Sequence, residues 1–173
     1  STAAGPAFEG ANISMGMRAV TGAISSINLV DGKMEAGVIG NTTPKGICGS
    51  ALIDAVSILR KLELIGMFGE INSGEPQVPV AGNVKLTQKD INEFQLAKAA
   101  IAAGLTILCR HLSINLNDLE KIYIAGGFGN YVNLENIVST GMIELPKERM
   151  IKMGDTALIG AKMFLYADPE NSN

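Results

Sequence analysis

The sequence predicts an α/β domain in which a mixed sheet is flanked by helices. Three observations carry that prediction. Two strand-like runs flank Asp31-Gly32. One long segment, from Thr87 to about His111, repeats apolar residues at helical spacing. An apolar run ending at Ala125 opens onto Gly126-Gly127-Phe128-Gly129 and is followed by further short strand and helix patterns. Strands that alternate with helices imply an α/β arrangement with at least part of the sheet parallel.

In chain order, Ala7 to Met17 follows the Gly5-Pro6 turn and reads as a short helix. Proline suits the first helical turn, where its missing N–H would lack a partner anyway. Gly22 to Val30 and Lys33 to Ile39 read as strands. Asp31-Gly32 between them is a hairpin signal, because the tight turn needs positive φ at its central residues. Asn41 to Ser50 is a polar, glycine-rich loop. The helix expected next, about Ser50 to Leu64, aligns Leu52, Ile53, Val56, Leu59 and Leu62 on one face. Residues 66–86 hold most of the prolines and read as an irregular excursion with a short strand or two.

Thr87 then opens the longest helix. Its hydroxyl can cap free N–H groups, and Asp90 favours the positive helix end. Ile91, Phe94, Ala97, Ile101, Leu105 and Leu108 recur down to His111. The small residues between Ala97 and Gly104 permit close approach of another element, for which plain packing is sufficient reason. Leu119 to Ala125 is expected as a buried strand. A short helix over Leu134 to Thr140 ends at Gly141, and Met150 to Met153 is a brief strand. Gly154-Asp155-Thr156 opens a last helix to about Ala167, and residues 168–173 read as a disordered tail. The start at Ser1-Thr2-Ala3-Ala4 reads as an interior boundary of a longer protein.

The bulk numbers narrow the classes. The 173 residues suit one domain, and 47% hydrophobic with 18% charged residues is a folded rather than a disordered balance. A net charge of −3 argues against a sequence-independent nucleic-acid binder. No apolar run is long enough for a transmembrane helix, and no secretory leader is visible, so a cytoplasmic location is expected. Cys48 and Cys109 stand far apart without a Cys-x-x-Cys or Cys/His cluster, so they read as reduced, buried thiols. His111 is the single histidine and reads as a residue favourable to a helix C-terminus. No metal site is expected within the chain.

Chemistry is expected at three glycine-bearing junctions. Gly126-Gly127-Phe128-Gly129 stands at the carboxyl end of a strand, where ligands of α/β sheets sit. Bare backbone there lets a ring or phosphate approach, although a sharp turn without a ligand would use the same residues. The run has neither the Rossmann spacing nor a Walker lysine. Lys45-Gly46-Ile47-Cys48-Gly49-Ser50 puts glycines and a capping serine at a helix start, a place that attracts anions. Met153-Gly154-Asp155 forms the third junction, with Asp155 as a helix cap the simpler reading. Glu9, Asp54 and Asp155 are candidates for positioning water or Mg²⁺, Glu9 being a weak catalytic candidate. A cap or a surface charge explains each as well.

Ser1 to Gly10, Gly46-Ile47-Cys48-Gly49-Ser50 and Ala125-Gly126-Gly127-Phe128-Gly129-Asn130-Tyr131 together resemble the reductive activators of corrinoid proteins. Leu86 to Ile91 and Gln95 to Ile101 carry the same resemblance, which spans almost the whole chain. It implies an actin-like, ribonuclease H-like ATPase subdomain of the acetate/sugar kinase, Hsp70 and actin (ASKHA) superfamily, here truncated at its N-terminal strands. Residues 1–167 would be the C-terminal part of the nucleotide-binding domain. The resemblance further implies a ferredoxin-like [2Fe–2S] domain outside this chain, and ATP with Mg²⁺ driving reduction of Co(II) corrinoid to Co(I) in methyltransferase systems. Nucleotide contacts are implied at Gly126, Gly127, Phe128, Gly129, Gly46, Gly49, Ser50 and Gly154. Implied partners are a corrinoid protein, the remaining domains of the parent chain and a second copy in a homodimer, with no nucleic acid and no membrane.

The chain departs from the pattern in three places. No Asp-x-Gly-Thr phosphate loop is present, Ala51 replaces an expected glycine, and Asp155 replaces an expected asparagine. The chain alone is therefore expected to bind adenine nucleotide weakly and to be inactive. The alternatives are an ASKHA ATPase that activates another enzyme or phosphorylates a metabolite, and a non-catalytic docking module.

Overall fold

The computed structural model describes residues 2, 4–72 and 74–166. The first strands are β1 (Ala23–Val30) and β2 (Lys33–Val38), joined by the expected hairpin: Asp31 and Gly32 both take positive φ, 49° and 75°. β1 also pairs in parallel with the two-residue β3 (Gly46–Ile47), so the first sheet is mixed, in the order β2-β1-β3. Helix α1 (Gly49–Lys61) follows at once. All residues from Gly49 to Leu59 are buried, because β1 covers one side and other helices the rest.

The proline-rich excursion contains an antiparallel hairpin of β4 (Gln77–Ala81) and β5 (Val84–Thr87). Thr87 then caps α2 (Gln88–His111) through a reciprocal pair: Asp90 N–H donates to the Thr87 hydroxyl, and Thr87 N–H donates to the Asp90 carboxylate at 2.8 Å. Ser14 adds its backbone N–H at 2.7 Å and its hydroxyl at 2.5 Å. Burial opposes the charge of Asp90, but these bonds from Ser14 and Thr87 together outweigh it and hold the carboxyl below its ordinary value.

The C-terminal part comprises β6 (Ile122–Ala125), α3 (Gly127–Tyr131), α4 (Leu134–Ser139), β7 (Met150–Gly154) and α5 (Thr156–Tyr166). β6 and β7 run parallel, as a strand–helix–strand crossover requires. Asp155 accepts the N–H of Leu158 and caps α5. The largest buried side chains come from β1 (Ile24, Ile27), β3 (Ile47), α1 (Leu52, Ile53, Leu59), the hairpin β4–β5 (Val78, Leu86) and α2 (Ile91, Phe94), so the core lies around α1. No helix among the described residues is long and apolar enough to cross a membrane.

Several expectations are corrected. The helix expected over Ala7 to Met17 is one 3₁₀ turn, Ala7–Glu9. Gly10 ends it in the left-handed region, and the chain then runs back until Met15 and Met17 bond to Ile47. The strand expected as buried over 119–125 is regular only over Ile122–Ala125, and Tyr123 is exposed; its only partner among the described residues is β7, which leaves a face open. Ser50 does not cap α1: Cys48 is the N-cap residue, and the Ser50 hydroxyl donates to Ser25 O at 2.8 Å instead. The tail expected to be disordered, 168–173, and Ala167, the expected end of the final helix, lie outside the described residues.

Candidate functional site

The turn Ala7–Glu9, the start of α1 and the β6–α3 junction converge on one hollow, and the junction at Met153-Gly154-Asp155 does not line it. The first wall is the turn Ala7–Glu9, which rests on the start of α1. A side chain on Gly49 would place its Cβ 1.9 Å from the Phe8 carbonyl oxygen, so this contact requires glycine. Phe8 in turn bridges inward and outward. Its ring meets core residue Phe94 edge-on, with centroids 5.9 Å apart, and Phe128 at 5.7 Å with a 34° tilt. Phe128 belongs to the second wall, α3, which is set by the turn at Gly126. There φ is 97°, a conformation that favours glycine, and Gly126 N–H donates to Gly154 O at 2.8 Å. The β6–α3 junction is thus fastened to the end of β7.

The hollow between these walls encloses about 710 Å³ and opens to solvent. Its floor is Cys48, Gly49 and Ser50 at the start of α1, with Ser25 of β1 beside them. Gly127, Phe128 and Tyr131 form one side, and Phe8, Glu9, Met17, Arg18, Ala19 and Ile39 the rest. The volume falls in the usual range for a small-molecule site. Its character is an apolar, aromatic slot with one cationic and one anionic side chain at its rim. The positive end of the α1 dipole points to the floor.

Gly127 is distinctive among the glycines. Its φ is not positive, and no atom lies within 4 Å of where its Cβ would be. Only Gly160 in the exposed α5 shares both properties. Gly46 and Gly129 are different: a Cβ would meet the Met15 carbonyl oxygen at 2.6 Å and the Ile124 side chain at 2.8 Å. Gly154 takes φ 74° beside Asn130. Of the expected contacts, Gly49, Ser50, Gly127, Phe128 and the candidate Glu9 line the hollow. Gly46, Gly129 and Gly154 serve packing and turns behind it, and Gly126 forms the hinge.

Asp54 does not face the hollow. It lies in the core under it, 2% exposed, accepting the N–H of Ile27 at 3.1 Å and the side-chain amide of Asn136 at 2.7 Å. Burial pushes its carboxyl above the ordinary value, against the opposing effects of these two bonds and of Lys152. Asp155 is committed to capping α5. Both cysteines are free and buried, and among the described residues no three His, Cys, Asp or Glu converge as a metal site would need.

Arg18, Tyr131, Phe8 and Ser25 line the hollow without having been singled out in the sequence. Arg18 lies in irregular chain that carries no periodic signal, and Phe8 in a single 3₁₀ turn too short to show one. Tyr131 had one, since it stands at the end of the glycine run.

The chain matches, over residues 1–172, the family model described as the C-terminal domain of RACo, the ASKHA domain. It is 36% identical over 199 residues to the corrinoid activation enzyme RamQ of Eubacterium limosum, covering 98% of this chain and 33% of that protein. It is 30% identical over 184 residues to the Co(II) methylated amine-specific corrinoid protein reductase of Methanosarcina barkeri, covering 94% and 34%. A solved structure of a reductive activator for corrinoid, iron–sulfur protein superposes with a TM-score of 0.80 at 32% identity, over 94% of this chain and 30% of that one. The chain therefore spans about a third of the length of these relatives.

Proposed function

From the premise that this chain belongs to the C-terminal ASKHA domain family of the corrinoid reductive activators, we propose that its hollow is one half of an ATP site. In this reading the parent protein uses ATP to reduce the Co(II) form of a corrinoid protein to Co(I), the form that accepts methyl groups. One electron passes to cobalt from a donor outside this chain. The two cysteines here are buried singly, in the N-cap of α1 and in α2, and do not suit an iron–sulfur cluster, so that group is assigned to another domain.

The observation that carries the reading is Gly127. Neither backbone conformation nor packing within the chain calls for glycine there, yet it faces a hollow large enough for a nucleoside. A flat base lying on Gly127, beside Phe128 and Tyr131, accounts for the bare Cα. Mg²⁺ would arrive with the phosphates. The work required of these residues is positional: ATP bound between this wall and an opposing lobe favours a closed arrangement, and hydrolysis releases it. Such coupling needs different affinities in the two arrangements and no nucleophilic side chain.

Calorimetric titration of the full-length protein with ATP and Mg²⁺ tests this. Binding that Gly127→Val abolishes supports the site; equal binding by both proteins refutes it.

One observation favours a docking role in addition. α5 has no buried residue, and Phe164, Leu165 and Tyr166 are each about four-fifths exposed or more (82%, 79% and 88%). A helix apolar on several sides needs a cover in the assembled protein. The corrinoid protein, the other domains and a second copy are the candidates. Capture of the corrinoid protein that is independent of nucleotide and unaffected by Gly127→Val would favour docking over ATP coupling.

A further inference from the structure

We infer that Asp54 is a positioning residue for the hollow: with Asn136 and Ser57 it locks the wall carried by α1 and β1 to the wall carried by α3 and α4. The inference rests on the reading of the hollow as a nucleotide site.

β3 pairs with β1 only at Ala23 and Ile24, and then the chain turns into α1. Backbone groups of Ser25 and Ile27 in β1, just beyond that point, lose their strand partner but lie under the helix. A buried N–H or C=O without a partner costs about 1–3 kcal/mol, so α1 must supply one. It does so with side chains one turn apart. Ser50 donates to Ser25 O at 2.8 Å, and Asp54 accepts from Ile27 N–H at 3.1 Å. Two residues of the floor, Ser25 and Ser50, are thereby held together, and Asp54 fixes the next turn.

The second oxygen of Asp54 reaches the other wall. It accepts the side-chain amide of Asn136 at 2.7 Å, while the Asn136 side-chain oxygen accepts the Ser57 hydroxyl at 2.8 Å. Ser57 also lies 2.6 Å from the Ser139 hydroxyl. Asn136 is in α4, which starts three residues after Tyr131 of the hollow. No buried side-chain nitrogen or oxygen among the described residues is left without a partner, so the network has no slack. Satisfying the Ile27 N–H needs only one oxygen of Asp54, and nothing in β1 calls for the contacts that Asp54 and Ser57 make with Asn136. Ser50, Asp54 and Ser57 place one polar stripe on the buried stretch of α1, Gly49 to Leu59, which is otherwise apolar, and the stripe runs from the floor of the hollow to the helix that follows its far wall.

The test exploits the chemistry of the pair. In Asp54→Asn the introduced amide has one acceptor for two incoming donors. Exchanging the residues, Asp54→Asn with Asn136→Asp, restores all three bonds. The amide introduced at position 54 accepts from Ile27 and donates to the carboxylate introduced at position 136, which in turn accepts from Ser57. ATP affinity of the full-length protein is measured by calorimetry below the unfolding range, beside a core variant outside the network, Val84→Ala in β5. Asp54→Asn should bind ATP roughly tenfold more weakly. The exchange should return affinity to within about threefold of the parent. Val84→Ala should leave it unchanged despite a lower unfolding midpoint.

If Asp54→Asn does not fold, Ser57→Ala replaces it and should still lower affinity where Val84→Ala does not. Affinity unchanged in Asp54→Asn, or reduced equally in Val84→Ala, overturns the inference and leaves the nucleotide site standing. No ATP binding by the parent, or none lost in Gly127→Val, instead removes the site and this inference with it.

Discussion

The sharpest prediction concerns one methyl group on Gly127. Gly127 is the first residue of α3, its φ is not positive, and a Cβ would meet nothing within 4 Å. Gly127→Ala is thus compatible with the fold. It should raise stability by about 0.4–1 kcal/mol by restricting the unfolded chain. For a domain of this size that raises the midpoint of its own unfolding transition by about 1–4 °C. The same methyl would stand in the hollow where a base is placed. Crowding of this kind costs about 1–3 kcal/mol, which weakens ATP binding roughly 5- to 150-fold. Thermal unfolding by circular dichroism and calorimetric titration of one full-length preparation read both effects. A gain in stability with a loss of affinity is the expected signature. A fall in midpoint would mean that the position is packed and the hollow is not what the geometry describes. Unchanged affinity with a raised midpoint would refute contact between Gly127 and the nucleotide.

The other expectations follow from contacts of opposite kind. Gly49→Ala forces a Cβ against the Phe8 carbonyl oxygen and should destabilise by about 1–3 kcal/mol or more, lowering the unfolding midpoint and separating Phe8 from α1. Asp90→Ala removes the cap of α2 and the anchor of Ser14, a loss of about 2–4 kcal/mol at pH 7, measured by denaturant unfolding. Because the folded state lowers the Asp90 pKa, its contribution is complete above the ordinary value of 3.8 and fades as pH falls through the lower folded value. The gap between the variant and the parent should therefore narrow below pH 3.8; a constant gap would show that ionisation of Asp90 contributes nothing.

Local chemistry made much of this architecture readable in advance. Asp31-Gly32 specified its hairpin because few residue pairs accept two positive φ angles, and Thr87 with Asp90 specified a helix start because the reciprocal cap needs that spacing. The glycine loops were legible as places but not as roles. A sequence shows that a Cα is bare without showing what lies against it. At Gly49 it is the Phe8 carbonyl, at Gly46 the Met15 carbonyl, at Gly129 the Ile124 side chain, and at Gly127 nothing in the chain. The helix expected over Ala7 to Met17 fails beyond Glu9 for a related reason. The course of the chain there is set by Gly10 and by bonds to Ile47, contacts that leave no periodic trace. Arg18 reaches the hollow only through that course. Asp54 looked like a candidate for solvent-facing chemistry because its role depends on where β3 stops, which is a property of the assembled sheet.

The brevity of β3 has a consequence for self-association. An uncovered strand edge invites a second polypeptide to add itself, the usual route to aggregates. At Ser25 and Ile27 the margin of β1 is occupied by a hydroxyl and a carboxylate of a packed helix, so a strand intruding there would have to displace α1 and expose the core. The same side chains thus oppose pairing with a second copy along this stretch.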